Sequence, residues 1–193
     1  LNLKNHKILL ASKSPRRSEL LTQAGISFEI YSMDVEELYP KELDIYSVPE
    51  FLAKLKADAS LEVLNTDFEI IISADSVVIC NEEIIGKPKD YDDAKTIIAK
   101  LSNNWHTVVT GVCIKSVSKE VVFSERAEVL FYPLSSAEIN YYVETFKPLD
   151  KAGAYGIQDW IGLCKVREIK GNFSNIMGLP VSRLYHELER FIG

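Results

Sequence analysis

The chain has 193 residues, of which 47% are hydrophobic and 26% charged, a composition typical of a globular protein able to bury its own core. The formal net charge of −6, from 22 basic and 28 acidic residues, argues against a protein that coats nucleic acid. No apolar run reaches the roughly 18 residues of a membrane span, and the first residues lack the apolar centre of a signal peptide.

The chain has three cysteines, Cys80, Cys113 and Cys164, which are far apart and embedded in apolar runs. This pattern predicts buried thiols in a reducing compartment, and therefore a cytoplasmic protein. Neither the cysteines nor the three scattered histidines have the spacing of zinc ligands, so we expect any metal to be held by oxygen atoms.

The first predicted elements are a strand at Ile8 to Leu10 and a helix that opens with Ser14-Pro15-Arg16-Arg17-Ser18 and stops near Gly25. Ser14 is a favourable N-cap, and Pro15 suits the first helical position. Two arginines in the first turn oppose the helix dipole, and they become favourable if an anion such as phosphate lies between them. The alternative is a capped helix with two solvated arginines.

The later predicted elements mix strands and helices throughout, which indicates an α/β domain with a mixed sheet. A strand at 27–31 and an acidic stretch at 34–37 come first, followed by a helix started by Ser47 and Pro49. The middle of the chain has a strand at 69–72 that is interrupted at 73–76 and resumes at 77–80, a strand at 84–85, a helix at 90–101 and strands near 107–115 and 121–131. The last part has a helix from Ser135 to about 145, a glycine-rich loop at 151–158, a strand at 163–169, a polar turn at 171–175 and a last helix from Pro180.

Asp75 is the most informative carboxylate, because it stands inside a β-branched apolar run where an unpaired buried charge is costly. It belongs either to a surface turn or to a cleft where it meets a cation or a water, and the apolar residues on both sides favour the cleft. The acidic stretch Asp34–Glu37 is either a solvated loop or the source of a second ligand for Mg²⁺ or Mn²⁺. Lys56 and Lys87 are surface lysines in the simplest interpretation.

The segment from Ala11 to Leu21 resembles the N-terminal signature of the Maf family of nucleoside triphosphate pyrophosphatases. Five further segments match the family in order, so that the resemblance covers nearly the whole chain. They are Ser73–Val78, Gly86–Pro88, His106–Gly111, Asp150–Gln158 and Gly171–Pro180.

The resemblance implies an elongated α/β domain with a mixed sheet, flanking helices and a deep central cleft, related to inosine triphosphatases. It implies one domain over residues 1–193, with two lobes around the cleft. The implied reaction hydrolyses a nucleoside triphosphate to the monophosphate and pyrophosphate with a divalent cation, Mg²⁺ or Mn²⁺. The expected partner is the nucleotide and, by resemblance, a second copy in a homodimer; neither nucleic acid nor a membrane is expected.

By resemblance, Asp75 is the catalytic proton acceptor, and Glu37 is the second acidic residue, which shares the metal with Asp75. The adjacent Glu36 leaves the choice between the two glutamates open. The other catalytic residues implied are Lys56 and Lys87. The residues implied in substrate binding are Ser12, Ser14, Arg16, Arg17, Ser76 and Gln158. Arg17 is also linked to substrate choice, and Ser76 replaces a more usual threonine.

Gln158 closes a loop that resembles the dTTP/UTP type of the family. Its amide offers a donor and an acceptor, which fits a pyrimidine edge with carbonyl oxygens and an N–H. The alternative is a glutamine bonded only to backbone. We therefore expect a dTTP/UTP pyrophosphatase that also takes modified pyrimidine nucleotides. The alternatives are a 7-methyl-GTP pyrophosphatase, or a nucleotide-binding regulator of cell division with little turnover.

Overall fold

The computed structural model describes residues 6–61 and 68–193. Most of the initial segment, predicted not to be a signal peptide, lies outside the described residues. The strands are Ile8–Leu10 (β1), Glu29–Ile30 (β2), Ile70–Cys80 (β3), Glu83–Ile85 (β4), Trp105–Lys115 (β5), Glu120–Phe131 (β6) and Val166–Lys170 (β7). The helices are Pro15–Gln23 (α1), Val48–Ala59 (α2), Tyr91–Leu101 (α3), Ser136–Phe146 (α4), Trp160–Lys165 (α5), Phe173–Met177 (α6) and Val181–Ile192 (α7), with a 3-10 turn at Ala152–Ala154.

The strands form one seven-stranded sheet in the order β2-β1-β3-β5-β6-β7, with β4 paired to β3. β1 is parallel to both β2 and β3, whereas the β3–β4 and β6–β7 pairs are antiparallel. The prediction of an α/β fold with a mixed sheet and flanking helices is therefore confirmed.

The chain divides into two compact units. The first unit comprises the described residues up to Asp75, together with Thr110–Glu125 and Gly178–Gly193. Its core includes side chains from β1, the residue that follows β1, α2, β3 and β5: Leu9, Ala11, Ala53, Ala57, Ile71 and Cys113. The second unit comprises Ser76–Val109 and Arg126–Met177, and its larger core is formed by residues of α3, α4, β6 and the loop before α5. The single two-lobed domain around a cleft stays a prediction.

The predicted interruption of the strand at residues 73–76 is wrong, because β3 runs without a break from Ile70 to Cys80. Its polar side chains have partners that satisfy them inside the sheet. The Ser73 hydroxyl donates to the Ala53 carbonyl at 2.6 Å, and Asp75 accepts a hydrogen bond from Lys56. Buried polar groups are tolerated when they are paired in this way.

Two predictions near the C-terminus are also wrong. The predicted strand at 163–169 begins only at Val166, because α5 occupies the preceding residues. The predicted polar turn at 171–175 contains α6, where the Asn172 side chain accepts from the backbone N–H of Ser174 at 2.8 Å, as an N-cap does. Cys164, predicted to be buried, is exposed, whereas Cys80 and Cys113 are buried thiols as predicted.

Within the described chain, the helices are too short or too polar for any of them to cross a bilayer.

Candidate active site

Asp75 lies in the middle of a buried strand with only 8% of its surface exposed. The neighbouring residues of β3, Ser73 and Ala74, are fully buried, so this carboxylate is not part of the surface turn that was one of its two sequence interpretations. A carboxylate placed here needs cationic or hydrogen-bonding partners in order to stay charged.

Lys56 supplies the nearest cation. Its Nζ atom lies 2.6 Å from Oδ1 of Asp75 and 2.6 Å from Oε1 of Glu37, so one ammonium group joins the two carboxylates. The Lys56 and Asp75 side chains are both largely buried, with 19% and 11% exposed, whereas Glu37 is half exposed. The ion pair is therefore shielded from solvent mainly on the Asp75 side.

The position of Lys56 depends on how α2 packs. Pro49 lies in the first turn of α2, where a missing N–H costs nothing. Gly111 of β5 faces this turn so closely that an added Cβ atom would lie 2.2 Å from the Pro49 carbonyl carbon. The glycine therefore lets the backbones of β5 and α2 approach directly, and α2 then carries Lys56 to Asp75.

The carboxyl group of Asp75 is easier to protonate than that of an exposed aspartate. Burial raises the pKa of the Asp75 carboxyl above its ordinary value, and the positive charges of Lys56 and Arg17 partly oppose that effect. The negative charge of Glu37 adds to the upward shift. A raised pKa brings a carboxylate closer to the range useful for general base catalysis near neutral pH.

Glu37, rather than Glu36, is the residue of the acidic stretch that reaches Lys56. Glu36 is exposed, and its carbonyl accepts from the backbone N–H of Leu38. Asp34 pairs with Lys13 at 2.5 Å at an exposed position. Glu37 is thus the one of the two glutamates that contacts Lys56, and its functional role stays a prediction.

The start of α1 carries the predicted serines and arginines. Ser14 occupies the N-cap position as predicted, but within the described residues no side-chain hydrogen bond caps this helix. The backbone N–H of Ser14 instead donates to the Ser12 hydroxyl at 3.3 Å. Arg16 is half-buried, and its positive charge acts on Arg17.

Arg17 is bonded to three separate parts of the first unit. Its Nε donates to the Gly178 carbonyl at 2.8 Å, and its Nη1 donates to the Ala74 carbonyl at 2.7 Å and to the Ser12 hydroxyl at 3.1 Å. Burial lowers the pKa of the Arg17 guanidinium, and the negative charge of Asp75 opposes that shift. Arg17 therefore fixes the backbone that directly precedes Asp75.

The other predicted residues belong to the second unit. Ser76 follows Asp75 on β3 and is half-buried, while Lys87 and Gln158 are exposed. The loop of Gln158 and the segment of Lys87 are joined, since the Gly153 N–H donates to the Gly86 carbonyl at 3.0 Å. Within each unit, the structure thus groups residues that are distant in sequence.

Two features of the site were not predicted from the sequence. One is the Gly178 carbonyl that anchors Arg17. The other is the pair of side chains, Tyr142 and Asp159, that hold the loop ending in Gln158. The carbonyl has no signal in the sequence, because any residue supplies one. The Tyr142–Asp159 pair had a weak signal, since a carboxylate directly follows Gln158.

The carboxylates near Lys56 are the candidate ligands for a divalent cation. No group of three or more His, Cys, Asp or Glu side chains suited to a metal occurs among residues 6–61 and 68–193. Asp75 and Glu37 both contact the Lys56 ammonium, so two carboxylate oxygens face the same point. Two hard oxygen ligands fit Mg²⁺ or Mn²⁺, which commonly take their other ligands from phosphates and water.

Comparison with known proteins gives consistent relatives. A protein of Cytophaga hutchinsonii is 48% identical, covering all of this chain and 87% of that protein, and one of Phocaeicola vulgatus is 47% identical over 98% of each. A protein of Porphyromonas gingivalis is 47% identical, covering 98% of this chain and 96% of its own length. All three are named dTTP/UTP pyrophosphatase.

Among solved structures, the Staphylococcus aureus Ham1 protein is similar with a TM-score of 0.47 and 17% identity, covering 65% of this chain and 71% of that one, a likeness too weak to carry an argument. The family model described as "Maf-like protein" matches residues 7–191. Because this match spans nearly the whole chain and the three relatives are 47–48% identical, the chain belongs to the Maf family.

Proposed function

We propose that this protein hydrolyses dTTP and UTP between the α- and β-phosphates, releasing the nucleoside monophosphate and pyrophosphate. Its relatives carry the name of that activity at 47–48% identity over essentially the whole chain. The observation that carries the proposal is the contact of Lys56 with both Asp75 and Glu37. This arrangement supplies a buried base, Asp75, next to positive charge, and phosphoanhydride hydrolysis requires both.

Asp75 acts as the general base. Its carboxylate takes a proton from a water molecule as the water oxygen attacks a phosphorus atom of the scissile bond, and the bridging oxygen leaves on the other phosphate. Lys56 keeps Asp75 ionised and oriented, since its ammonium donates directly to Oδ1. A positioned base of this kind contributes about 10²–10⁴-fold to the rate.

The start of α1 binds the polyphosphate. The helix dipole favours an anion at this end, and the side chain of Ser14 makes no cap bond here within the described residues. Arg16 and the hydroxyl groups of Ser12 and Ser14 contact the phosphates directly. Arg17 joins the start of α1 to the Ala74 carbonyl and adds positive charge. Lys87 stabilises the charge on the departing phosphate.

A divalent cation, Mg²⁺ or Mn²⁺, would be held by Asp75 and Glu37. When bound, it would neutralise charge on the phosphate oxygens. Lys56 contacts both carboxylates and so holds them side by side.

Gln158 and Ser76 select the base. The exposed amide of Gln158 presents one donor and one acceptor, which match the N–H and carbonyl of uracil or thymine. The two bases differ by one methyl group, which a pocket distinguishes by only about 1–3 kcal/mol. Both nucleotides and their modified forms are therefore expected substrates.

We also propose a cytoplasmic location, which the buried thiols of Cys80 and Cys113 support. The net charge of −6 supports a nucleotide rather than a nucleic acid as the ligand. The homodimer stays a prediction from the family resemblance.

The decisive experiment is a nucleotide panel with detection of pyrophosphate, comparing dTTP, UTP, CTP and 7-methyl-GTP with and without excess chelator. We expect pyrophosphate from dTTP and UTP and its loss with chelator. Asp75→Asn should bind UTP but turn over at least about 10²-fold more slowly, because the amide cannot accept the proton. A wild-type kcat in Asp75→Asn, or unchanged turnover in chelator, would remove the base or the metal from the mechanism.

A further inference from the structure

The hydroxyl group of Tyr142 connects the two sides of the loop that ends in Gln158. Tyr142 lies on α4 and is fully buried. Its hydroxyl donates to Oδ2 of Asp159 at 2.8 Å and accepts from the backbone N–H of Gly156 at 3.0 Å. These two contacts lie immediately before and after Ile157-Gln158. The Asp159 N–H also donates to the Gly156 carbonyl at 3.0 Å, so the Tyr142 hydroxyl adds a second, side-chain closure to a short ring that the backbone already forms.

The direction of proton donation in this ring is fixed. Burial raises the pKa of the Tyr142 hydroxyl well above its ordinary value, so it stays protonated and donates to the carboxylate of Asp159. Its oxygen then remains available as the acceptor for Gly156. The Tyr142 hydroxyl therefore uses both its donor and its acceptor within the ring.

Asp159 and Gly156 are both adapted to this arrangement. Asp159 is the N-cap residue of α5, yet within the described chain its carboxylate makes no cap bond to that helix and contacts Tyr142 instead. A Cβ atom on Gly156 would lie 2.6 Å from Oδ2 of Asp159, so only glycine leaves room for the carboxylate. The Asp159 carboxylate thus holds the loop through Tyr142 instead of capping α5.

A second contact holds Tyr155, the residue that precedes Gly156. The Tyr155 hydroxyl lies 2.8 Å from Nε2 of His106, and the two rings meet edge to face at 5.3 Å. Gly153 to Ile157 are buried without exception, whereas Gln158 is exposed. The loop therefore consists of fixed, buried residues that end in one accessible amide.

We propose that Tyr142 and Asp159 are positioning residues that hold the Gln158 amide at the place where it reads the nucleotide base. This inference rests on the proposed function, in which Gln158 recognises the pyrimidine. Base selection through hydrogen bonds requires the donor and the acceptor to be placed to within a fraction of an ångström. Without the Tyr142 hydroxyl, the Gly156 N–H and the Asp159 carboxylate lose their buried partner, and the loop rearranges to find others.

The test compares kcat/KM for UTP and CTP, which share sugar and phosphates and differ on the base edge. Tyr142→Phe should lower the UTP-to-CTP ratio about tenfold, mostly through a higher KM for UTP, with little change in kcat. Tyr141→Phe is the matched control, because this neighbouring tyrosine of α4 is half exposed and lies outside the ring. It should leave the ratio at the wild-type value.

Two further comparisons separate positioning from general loss of structure. Asp159→Asn keeps an oxygen acceptor for Tyr142 and should retain most of the ratio, whereas Asp159→Ala should resemble Tyr142→Phe. In a Gln158→Ala background, Tyr142→Phe should change the ratio by less than about twofold, since the amide that it positions is gone. Thermal unfolding of each variant confirms that it is folded.

The outcomes distinguish this inference from the proposed function. If Gln158→Ala lowers the ratio and neither Tyr142→Phe nor Asp159→Ala does, the positioning role alone is overturned. If Gln158→Ala leaves the ratio unchanged, base reading by Gln158 is wrong, and the positioning role falls with it.

Discussion

Lys56 opposes the effect of burial on the pKa of Asp75, because its ammonium lies 2.6 Å from a carboxylate that is almost removed from water. Desolvation raises the pKa of Asp75, while Lys56 and Arg17 are the two positive charges that oppose this shift. The base works only when it is deprotonated, so activity should rise with pH through that raised pKa.

We predict that Lys56→Met moves the acid limb of the kcat/KM profile to higher pH. Removal of the nearest positive charge leaves desolvation and Glu37 less opposed, and Asp75 then holds its proton more tightly. The measurement is kcat/KM for UTP against pH. Lys54→Met is the control on the same helix, because Lys54 pairs with Asp58 and Glu120 instead, and it should leave the limb in place. An unmoved limb in Lys56→Met would mean that another group titrates.

The candidate site was predictable from residue types more than from partners. Asp75 was identifiable because a lone carboxylate in a β-branched run needs a cation, and Lys56 proved to be the one that reaches it. The bond from Arg17 to Gly178 was not predictable, since it spans 161 residues and ends on a carbonyl, a group that every residue carries. The choice of Glu37 over Glu36 likewise depended on the path of a loop.

At the scale of elements, the approach of β5 to α2 sets the position of Lys56. Gly111 is the contact point, because an added Cβ atom there would lie within 2.3 Å of three backbone atoms of Pro49 and Glu50. Backbone atoms cannot move aside as a flexible side chain does, so the whole helix would have to shift.

We predict that Gly111→Ala destabilises the protein by about 3 kcal/mol, because overpacking against backbone forces α2 away from β5. Urea unfolding measures the change. Gly86→Ala is the matched control: its added methyl group meets nothing within 4 Å, so its stability should stay within about 1 kcal/mol of wild type. Equal stability of the two variants would contradict the close approach.

Elements with strong local signals were predictable. The Ser135 and Glu138 capping box starts α4 as the sequence indicates, and Asp90 caps α3. The helix α5 was not predictable, because the alternating pattern from Leu163 favours a strand. An added Cβ atom on Gly162 would lie 1.7 Å from the Ile157 carbonyl oxygen, so this glycine allows a tight turn that tertiary contacts impose.

At the scale of the molecule, one buried histidine links stability to pH. His106 is only 2% exposed, and burial lowers its pKa from 6.5 to about 4. Between these values the unfolded chain binds a proton that the folded protein does not. Stability therefore falls as the pH drops through this window, and it is fully present above pH 6.5.

We predict that this linkage costs about 2 kcal/mol of unfolding free energy between about pH 7.5 and about pH 5. His106→Gln lacks the titrating group, so wild type should lose that much more stability than the variant over this range. Urea unfolding followed by tryptophan fluorescence is the measurement, since both tryptophans lie in the second unit with His106. His186→Gln, at an exposed histidine of α7, should keep the wild-type pH dependence. Parallel curves for wild type and His106→Gln would contradict the prediction.

The bond between Arg17 and Gly178 also constrains how the protein is made. The ribosome extends a chain from its N-terminus, so Lys56 and Asp75 leave the exit tunnel long before the carbonyl that anchors Arg17. The first unit includes Gly178–Gly193, and it therefore stays incomplete until these residues have been translated. A chain truncated before residue 178 therefore keeps its candidate base but lacks the carbonyl that anchors Arg17.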